Sequence, residues 1–224
     1  MKKVSIEENV YNHIKTAILA RKLAPGKQLV EHYLSNSLGV SRTPIRNAIK
    51  RLSLEGLVDI IPNRGAFVTN PTKEEMIQAY ELRSKLEYIA VCQAMNVLTE
   101  SDFRTIKGNL VNEKEALYNR NPEEYVRFNK EFHISITQKC GNKFLNEFIL
   151  RLITQTNIYL ILFDDFFSNP KQEPYSPDEH SHILSLIEDK DTEKLEIVLE
   201  NHFKRAITSL ETHYYRYKEI DEIF

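Results

Sequence analysis

GVSRTPIRNAIKRLSLEGLV, residues 39–58, opens a helical pattern with Arg42, Thr43 and Arg46 and holds no acidic residue before Glu55. The chain as a whole carries a formal net charge of −2, so this positive charge is a local feature. Ser41 is placed to cap the helix, and Pro44 falls in its first turn, where a missing N–H costs nothing. At about 100° per residue, Ile45, Ala48, Ile49 and Leu52 form one apolar stripe. Thr43, Arg46, Asn47 and Lys50 lie on the opposite side, with Arg42 at the start. The stripe anchors the helix, and the other face is short, polar and basic. A helix that reads the major groove needs such a face: arginine bonds guanine O6 and N7 in pairs, while arginine, threonine and a helix N-terminus grip phosphates. A merely solvated face would intersperse glutamates.

Outward from this stretch, glycines punctuate the chain. Pro25-Gly26 turns it after an amphipathic helix running from about Ile6 to Arg21. Gly39 separates two short helical patterns, and Gly56 ends the basic helix. LVDII (57–61) and AFVTN (66–70) read as strands joined at the tip by Arg64 and Gly65, where a wing would reach DNA. The order helix, helix, turn, helix, hairpin predicts a winged helix-turn-helix over residues 1–71. These residues hold eleven Lys/Arg against five Asp/Glu, a balance of +6, whereas the rest of the chain stands at −8. A polyanion partner is expected for the first part only.

From Thr72 the glycines nearly vanish and a helical period takes over. Thr72 with Glu75 forms a capping box. Six helices are expected, at about 72–97, 99–118, 122–139, 143–166, 177–189 and 191–218, with a proline-rich loop at 168–177. The fold class is therefore mainly α: a winged helix-turn-helix followed by an all-α six-helix bundle over 72–224. The longest apolar run, IYLILF, is too short to cross a membrane. Cys92 and Cys140 have no metal-type spacing and read as small core hydrophobes, suited to a reducing cytoplasm.

The second domain hides polar residues on apolar faces. In PEEYVRFNKEFHISITQKC, Asn129 and His133 share a face with Tyr125, Val126, Ile136 and Cys140. His180 falls among Ile183, Leu184 and Ile187, whereas His182 points to solvent. His202 shares a face with Leu195, Val198, Leu199 and Ala206. Three inward histidines on separate helices, with an amide one turn from the first, suit a divalent transition metal with open positions: zinc, nickel or manganese. Arg83 falls in a stripe with Ala79, Leu86 and Ala90. It is either an anion-binding group beside the metal or the helix partner of Glu87. The inward faces show no carboxylate beyond Glu87, and neither HExxH nor GxSxG occurs.

GVSRTPIRNAIKRLSLEGLV with NRGAFV, preceded by LAPGKQLVEHYLSNSLG, closely resembles the N-terminal signature of the GntR superfamily of bacterial transcription regulators. The resemblance implies operator contacts by Arg42, Thr43, Arg46 and Gly65. NKEFH, EHSHILSLIEDKD and LENHF resemble the FCD domain of the FadR branch. That likeness implies metal ligation by Asn129, His133, His180 and His202, with an amide where many members have aspartate. AYELRSKLEYIA resembles an R..LE element of the same domain. The expected function is a ligand-responsive regulator, most simply a repressor, that binds a palindromic operator as a homodimer. Neutral imidazoles and an amide leave a divalent ion's charge unbalanced, so the expected effector is a small carboxylate that also meets Arg83. A metal-dependent hydrolase with a DNA-binding appendage and an architectural DNA-binding protein are the alternatives.

Overall fold

The computed structural model describes residues 5–163, 176–210 and 223. They form two compact units that divide at Pro71/Thr72. The proline-rich loop up to residue 175, and the expected helical extensions past 163 and 210, lie outside the described residues.

In the first unit α1 (Ile6–Leu19), α2 (Glu31–Ser37) and α3 (Arg42–Leu54) precede β1 (Val58–Ile61) and β2 (Gly65–Val68). The two strands pair antiparallel, with Val58 opposite Val68 and Ile61 opposite Gly65. Ile45, Ala48, Ile49 and Leu52 are all buried, which seats α3 against α1. Each fully buried Leu or Ile contributes about 1.5–3 kcal/mol. Gly39 turns the chain between α2 and α3 at φ 64°, where a Cβ would be strained. Ser41 occupies the N-cap position of α3, but its side chain makes no capping hydrogen bond, unlike the sequence expectation. The chain enters with extended backbone there.

The hairpin has a third edge that the sequence did not announce. Leu29 N–H donates to Ala66 O at 2.8 Å and Val68 N–H to Lys27 O at 2.9 Å, so the segment before α2 pairs with β2. Gln28 Nε2 also donates to Arg64 O at 2.9 Å, which braces the wing tip.

The second unit is a bundle of six helices: α4 (Lys73–Ala94), α5 (Glu100–Tyr118), α6 (Pro122–Thr137), α7 (Lys143–Phe163), α8 (Ser176–Asp189) and α9 (Thr192–Ser209). The Thr72 and Glu75 capping box is formed, and Thr99 with Asp102 forms a second. Asn121 and Asp191 cap α6 and α9. Helix α4 packs against α6, α7 and α9, which gives it an unusual inner face. Alongside Tyr80, Ala90 and Val91, that face buries Arg83, Ser84 and Glu87. Cys140 is buried and Cys92 half-buried.

Candidate metal centre and nucleic-acid interface

Three helices deliver one imidazole each to the bundle interior. His133 of α6 and His180 of α8 are 0% exposed, and His202 of α9 is 5% exposed. Their ring centroids lie 4.8–5.4 Å apart. One ring nitrogen from each can be chosen so that all three lie within 4.8 Å of one another. Two nitrogens at about 2.1 Å from a common tetrahedral ion stand about 3.4 Å apart, so closure onto a metal draws the rings together by up to about 1.4 Å. His182 is exposed, as its opposite position on α8 requires.

Each imidazole is held from behind by a carboxylate. His133 Nδ1 lies 2.7 Å from Glu87 Oε2, His180 Nδ1 2.8 Å from Glu113 Oε2, and His202 Nδ1 2.8 Å from Glu179 Oε2. An ionised carboxylate only accepts, so each contact assigns the proton to Nδ1 and leaves the Nε2 lone pair for the interior. The expectation that Glu87 was the one inward carboxylate is corrected: Glu113 is fully buried on α5 and Glu179 nearly so on α8. Glu113 continues the buried line Ile106, Leu110 and Leu117 at helical spacing, a signal present in the sequence. Glu179 sits in the first turn of α8 beside Asp178, where acids are common for reasons of helix polarity.

Some of the unpaired buried atoms belong to residues that line one cavity. His133 Nε2 and Asn129 Oδ1 are buried and have no hydrogen-bond partner. Leaving such an acceptor unpaired costs about 1–3 kcal/mol. Asn129 is 3% exposed, one turn before His133 on α6. Two orphaned acceptors beside preset imidazoles fit a divalent cation, and Asn129, His133, His180 and His202 are the residues that would hold it. The adjoining cavity, about 20 Å³, is lined by Arg83, Asn129, His133, Ser176 and His202 among others. That is space for one ion or water.

The electrostatics favour neutral ligands. Burial holds His133 well below its ordinary titration range, and the Arg83, His180 and His202 charges act in the same direction. Burial likewise lowers His202 to about 4, against the opposing hydrogen bond to Glu179. Glu87 is raised by burial despite Arg83. Arg83 is itself 1% exposed: Nε donates to Glu87 Oε1 at 2.6 Å and Nη1 to Thr156 Oγ1 at 2.7 Å. The remaining nitrogen, Nη2, is buried without a partner. The two readings of Arg83 therefore coexist in one side chain, and the Glu87 pair is a buried one, outside the range of exposed helix pairs.

In the first unit Arg42, Thr43, Arg46, Asn47 and Lys50 are all exposed on α3, and Arg64 and Gly65 are exposed at the hairpin tip. Arg64 lies 5.8 Å from the Phe67 ring. Two of these exposed groups on α3 have acidic partners from earlier helices. Arg46 Nε donates to Glu31 Oε2 at 2.7 Å and Asn47 Nδ2 to Glu7 Oε2 at 2.9 Å. Nothing in the spacing of the sequence joined those residues.

Comparison with known proteins places both units. Residues 6–68 match the gntR family of bacterial regulatory proteins, and residues 78–205 match the FCD domain. The chain is 30% identical over 166 residues to the Nta operon transcriptional regulator of Aminobacter aminovorans, covering 74% of this chain and 76% of that one. It is 23% identical over 205 residues to the HTH-type transcriptional repressor RspR of Escherichia coli, over 92% and 89% of the two chains. The match to the uncharacterized HTH-type transcriptional regulator YdhC of Bacillus subtilis is 29% identical over 140 residues and spans 62% of each protein. Among solved structures, E. coli McbR/YncC superposes with a TM-score of 0.69 at 24% identity, over 93% of this chain and 98% of that one. A GntR regulator from Rhodococcus sp. RHA1 gives 0.70 at 20% identity, over 93% and 99%. At these identities the structural likeness establishes the fold.

Proposed function

The chain belongs to the gntR family of bacterial transcription regulators and carries the FCD effector-binding domain, and from that premise we propose that it is a dimeric, metal-dependent repressor released or engaged by a small carboxylate. The families and relatives are transcription regulators, not enzymes. The observation that carries the effector reading is the cavity lined by Asn129, His133 and Arg83, whose Oδ1, Nε2 and Nη2 atoms are each buried without a hydrogen-bond partner.

Arg46 reads a base in this proposal, while Arg42, Thr43, Asn47, Lys50, Arg64 and Gly65 position α3 and the wing on a palindromic operator. Dimerisation is supported by exposed apolar side chains on α4 and α7: Leu82, Ile89, Phe144 and Phe148. No helix among the described residues is long and apolar enough to cross a membrane, which accords with a cytoplasmic site of action.

A bound divalent ion would supply positive charge and open positions to an acid. The three carboxylates behind the imidazoles revise the simple charge argument. Glu87, Glu113 and Glu179 stand against Arg83 and Arg205, which pairs with Glu179. One net negative charge remains in the fully ionised set. A divalent ion turns it to one positive, which a single carboxylate neutralises. Arg83 Nη2 would then meet a second oxygen of the acid, so a hydroxy acid suits the wall. The closed cavity is too small for such a molecule, so binding must move side chains or helices around it. Regulation requires the acid to prefer one of two arrangements of the protein.

The test adds zinc, nickel or manganese to the full chain, then candidate hydroxy and dicarboxylic acids. Melting temperature and affinity for a selected palindromic site are followed together. The proposal expects an acid that raises the melting temperature, changes DNA affinity, and loses both effects on chelation. Acid binding that survives chelation unchanged overturns it.

A further inference from the structure

Reading a base with Arg46 leaves one contact without a purpose. Glu31, the first residue of α2, accepts from Arg46 Nε at 2.7 Å, and the side chains are 35% and 60% exposed. An exposed pair of this kind contributes little to folding. Its consequence for a guanidinium meeting DNA is larger. The guanidinium is a rigid planar fork of five donors. With Nε held by a carboxylate, the plane is oriented and the edge carrying Nη1 and Nη2 is left without a hydrogen bond to the described residues. That edge presents two parallel N–H groups, the pattern that guanine O6 and N7 accept. A freely rotating arginine would spend its charge on whichever phosphate lay nearest.

The Glu31 charge acts in the same sense. It offsets the Arg46 charge when the side chain faces a phosphate and so weakens binding that carries no sequence information. The neighbouring pairs differ in kind. Arg51 Nη1 donates to Glu8 at 2.6 Å while its guanidinium lies 3.5 Å from the Tyr11 ring centre, which fastens it to α1. Asn47 has no charge for Glu7 to offset. Among the described residues, Arg46 alone joins a carboxylate from the helix before the turn to a guanidinium on the exposed face of α3.

We infer that Glu31 is a positioning and specificity-determining residue, which sets the Arg46 fork for guanine and suppresses non-specific phosphate binding. This rests on the reading of Arg46 as a base reader. The experiment uses the full chain, with Glu31→Gln, Glu31→Ala and Arg46→Ala beside the unsubstituted protein. Each is titrated against a site obtained by in vitro selection, all its single-base variants, and random-sequence DNA at several salt concentrations. Both Glu31 variants are expected to bind random DNA at least twofold more tightly, with a salt slope steeper by up to about one. Their preference should fall at least fivefold at the same base pair where Arg46→Ala loses its own. A residue that only tied α2 to α3 would instead lower the melting temperature and weaken all sequences in parallel, and that outcome overturns the inference. A position-specific effect of Arg46→Ala with none for either Glu31 variant removes Glu31 alone. A flat Arg46→Ala profile removes the base-reading assignment, and the role of Glu31 falls with it.

Discussion

Glu113→Gln exchanges one oxygen for an amide group in the wall of the metal centre and keeps the volume. Glu113 Oε2 faces His180 Nδ1 at 2.8 Å, and both side chains are fully buried. The glutamine has two ways to sit. With its oxygen toward Nδ1 the tautomer survives, but the charge that makes the imidazole a better donor to a cation is gone. With its NH2 toward Nδ1 the ring proton must move to Nε2, where it blocks the ligand position. Either arrangement weakens metal binding, by about 10–100-fold for a partner of this kind, or about 1.4–2.7 kcal/mol. At a metal concentration of about 100 times the wild-type Kd, the ion stabilises the wild type by about 2.7 kcal/mol. The same concentration gives about 1.4 kcal/mol at tenfold weaker binding and about 0.4 at a hundredfold. The assay is urea unfolding with and without zinc, nickel or manganese, supported by calorimetric titration. Each variant serves as its own metal-free reference, so any effect of the substitution on the apo protein cancels. His180→Ala should lose the metal increment, and His182→Ala, on the solvent side of α8, should keep it. An undiminished increment in Glu113→Gln, alongside its loss in His180→Ala, would refute the claim that the carboxylates tune the site.

Arg83→Met should cost about 3–5 kcal/mol, because it leaves Glu87 buried without its cation; adding Glu87→Gln should recover part of this, and strictly additive losses in chemical denaturation would dissolve the coupling. Phe148→Glu should raise the dimer dissociation constant by about 30-fold or more in sedimentation experiments, as expected for an interface hot spot of about 2 kcal/mol; an unchanged constant would move the interface off α7. Asp102 is held at about 2 by hydrogen bonds from Lys139 first and then from Thr99. Its ordinary value is about 4, so the native protein binds fewer protons at this group, and the stability it adds is present above about pH 4 and lost as pH falls toward 2. Asp102→Asn should therefore unfold with a shallower acid dependence across that interval, and parallel curves would contradict the assignment.

What the sequence made legible follows from where each signal lives. The winged unit is written in local chemistry: turn glycines, an acid-free helix face and two short apolar runs, each decided within a few residues. The inward positions of Asn129, His133, His180 and His202 could be read because their neighbours on the same helix face are apolar. Helix α4 yielded to that reading only in part, at Arg83, Glu87 and Ala90. Its buried face mixes Tyr80, Arg83, Ser84 and Glu87 with Ala90 and Val91, so polarity gives no contrast between inside and outside. Glu113 was within reach, since it falls on the line of Ile106, Leu110 and Leu117. An acid in that line is easily taken for the edge of a solvated face.

Glu179 and Glu31 mark the boundary of what one-dimensional pattern can carry. Both begin helices, where a carboxylate is favoured by the helix dipole alone, so their presence needs no further cause. In the fold each also meets a functional side chain from another helix: Glu179 holds His202 at 2.8 Å, and Glu31 holds Arg46 at 2.7 Å. The two contacts have opposite settings. The first is nearly dry, so its charge fixes a tautomer and bears strongly on what the imidazole can bind. The second is wet, worth little to folding, and acts only when DNA brings phosphates and guanine edges to compete for the same fork. Burial thus separates two uses of an acid in the first turn of a helix: one builds a ligand site, and the other biases which nucleic-acid contact an exposed arginine makes.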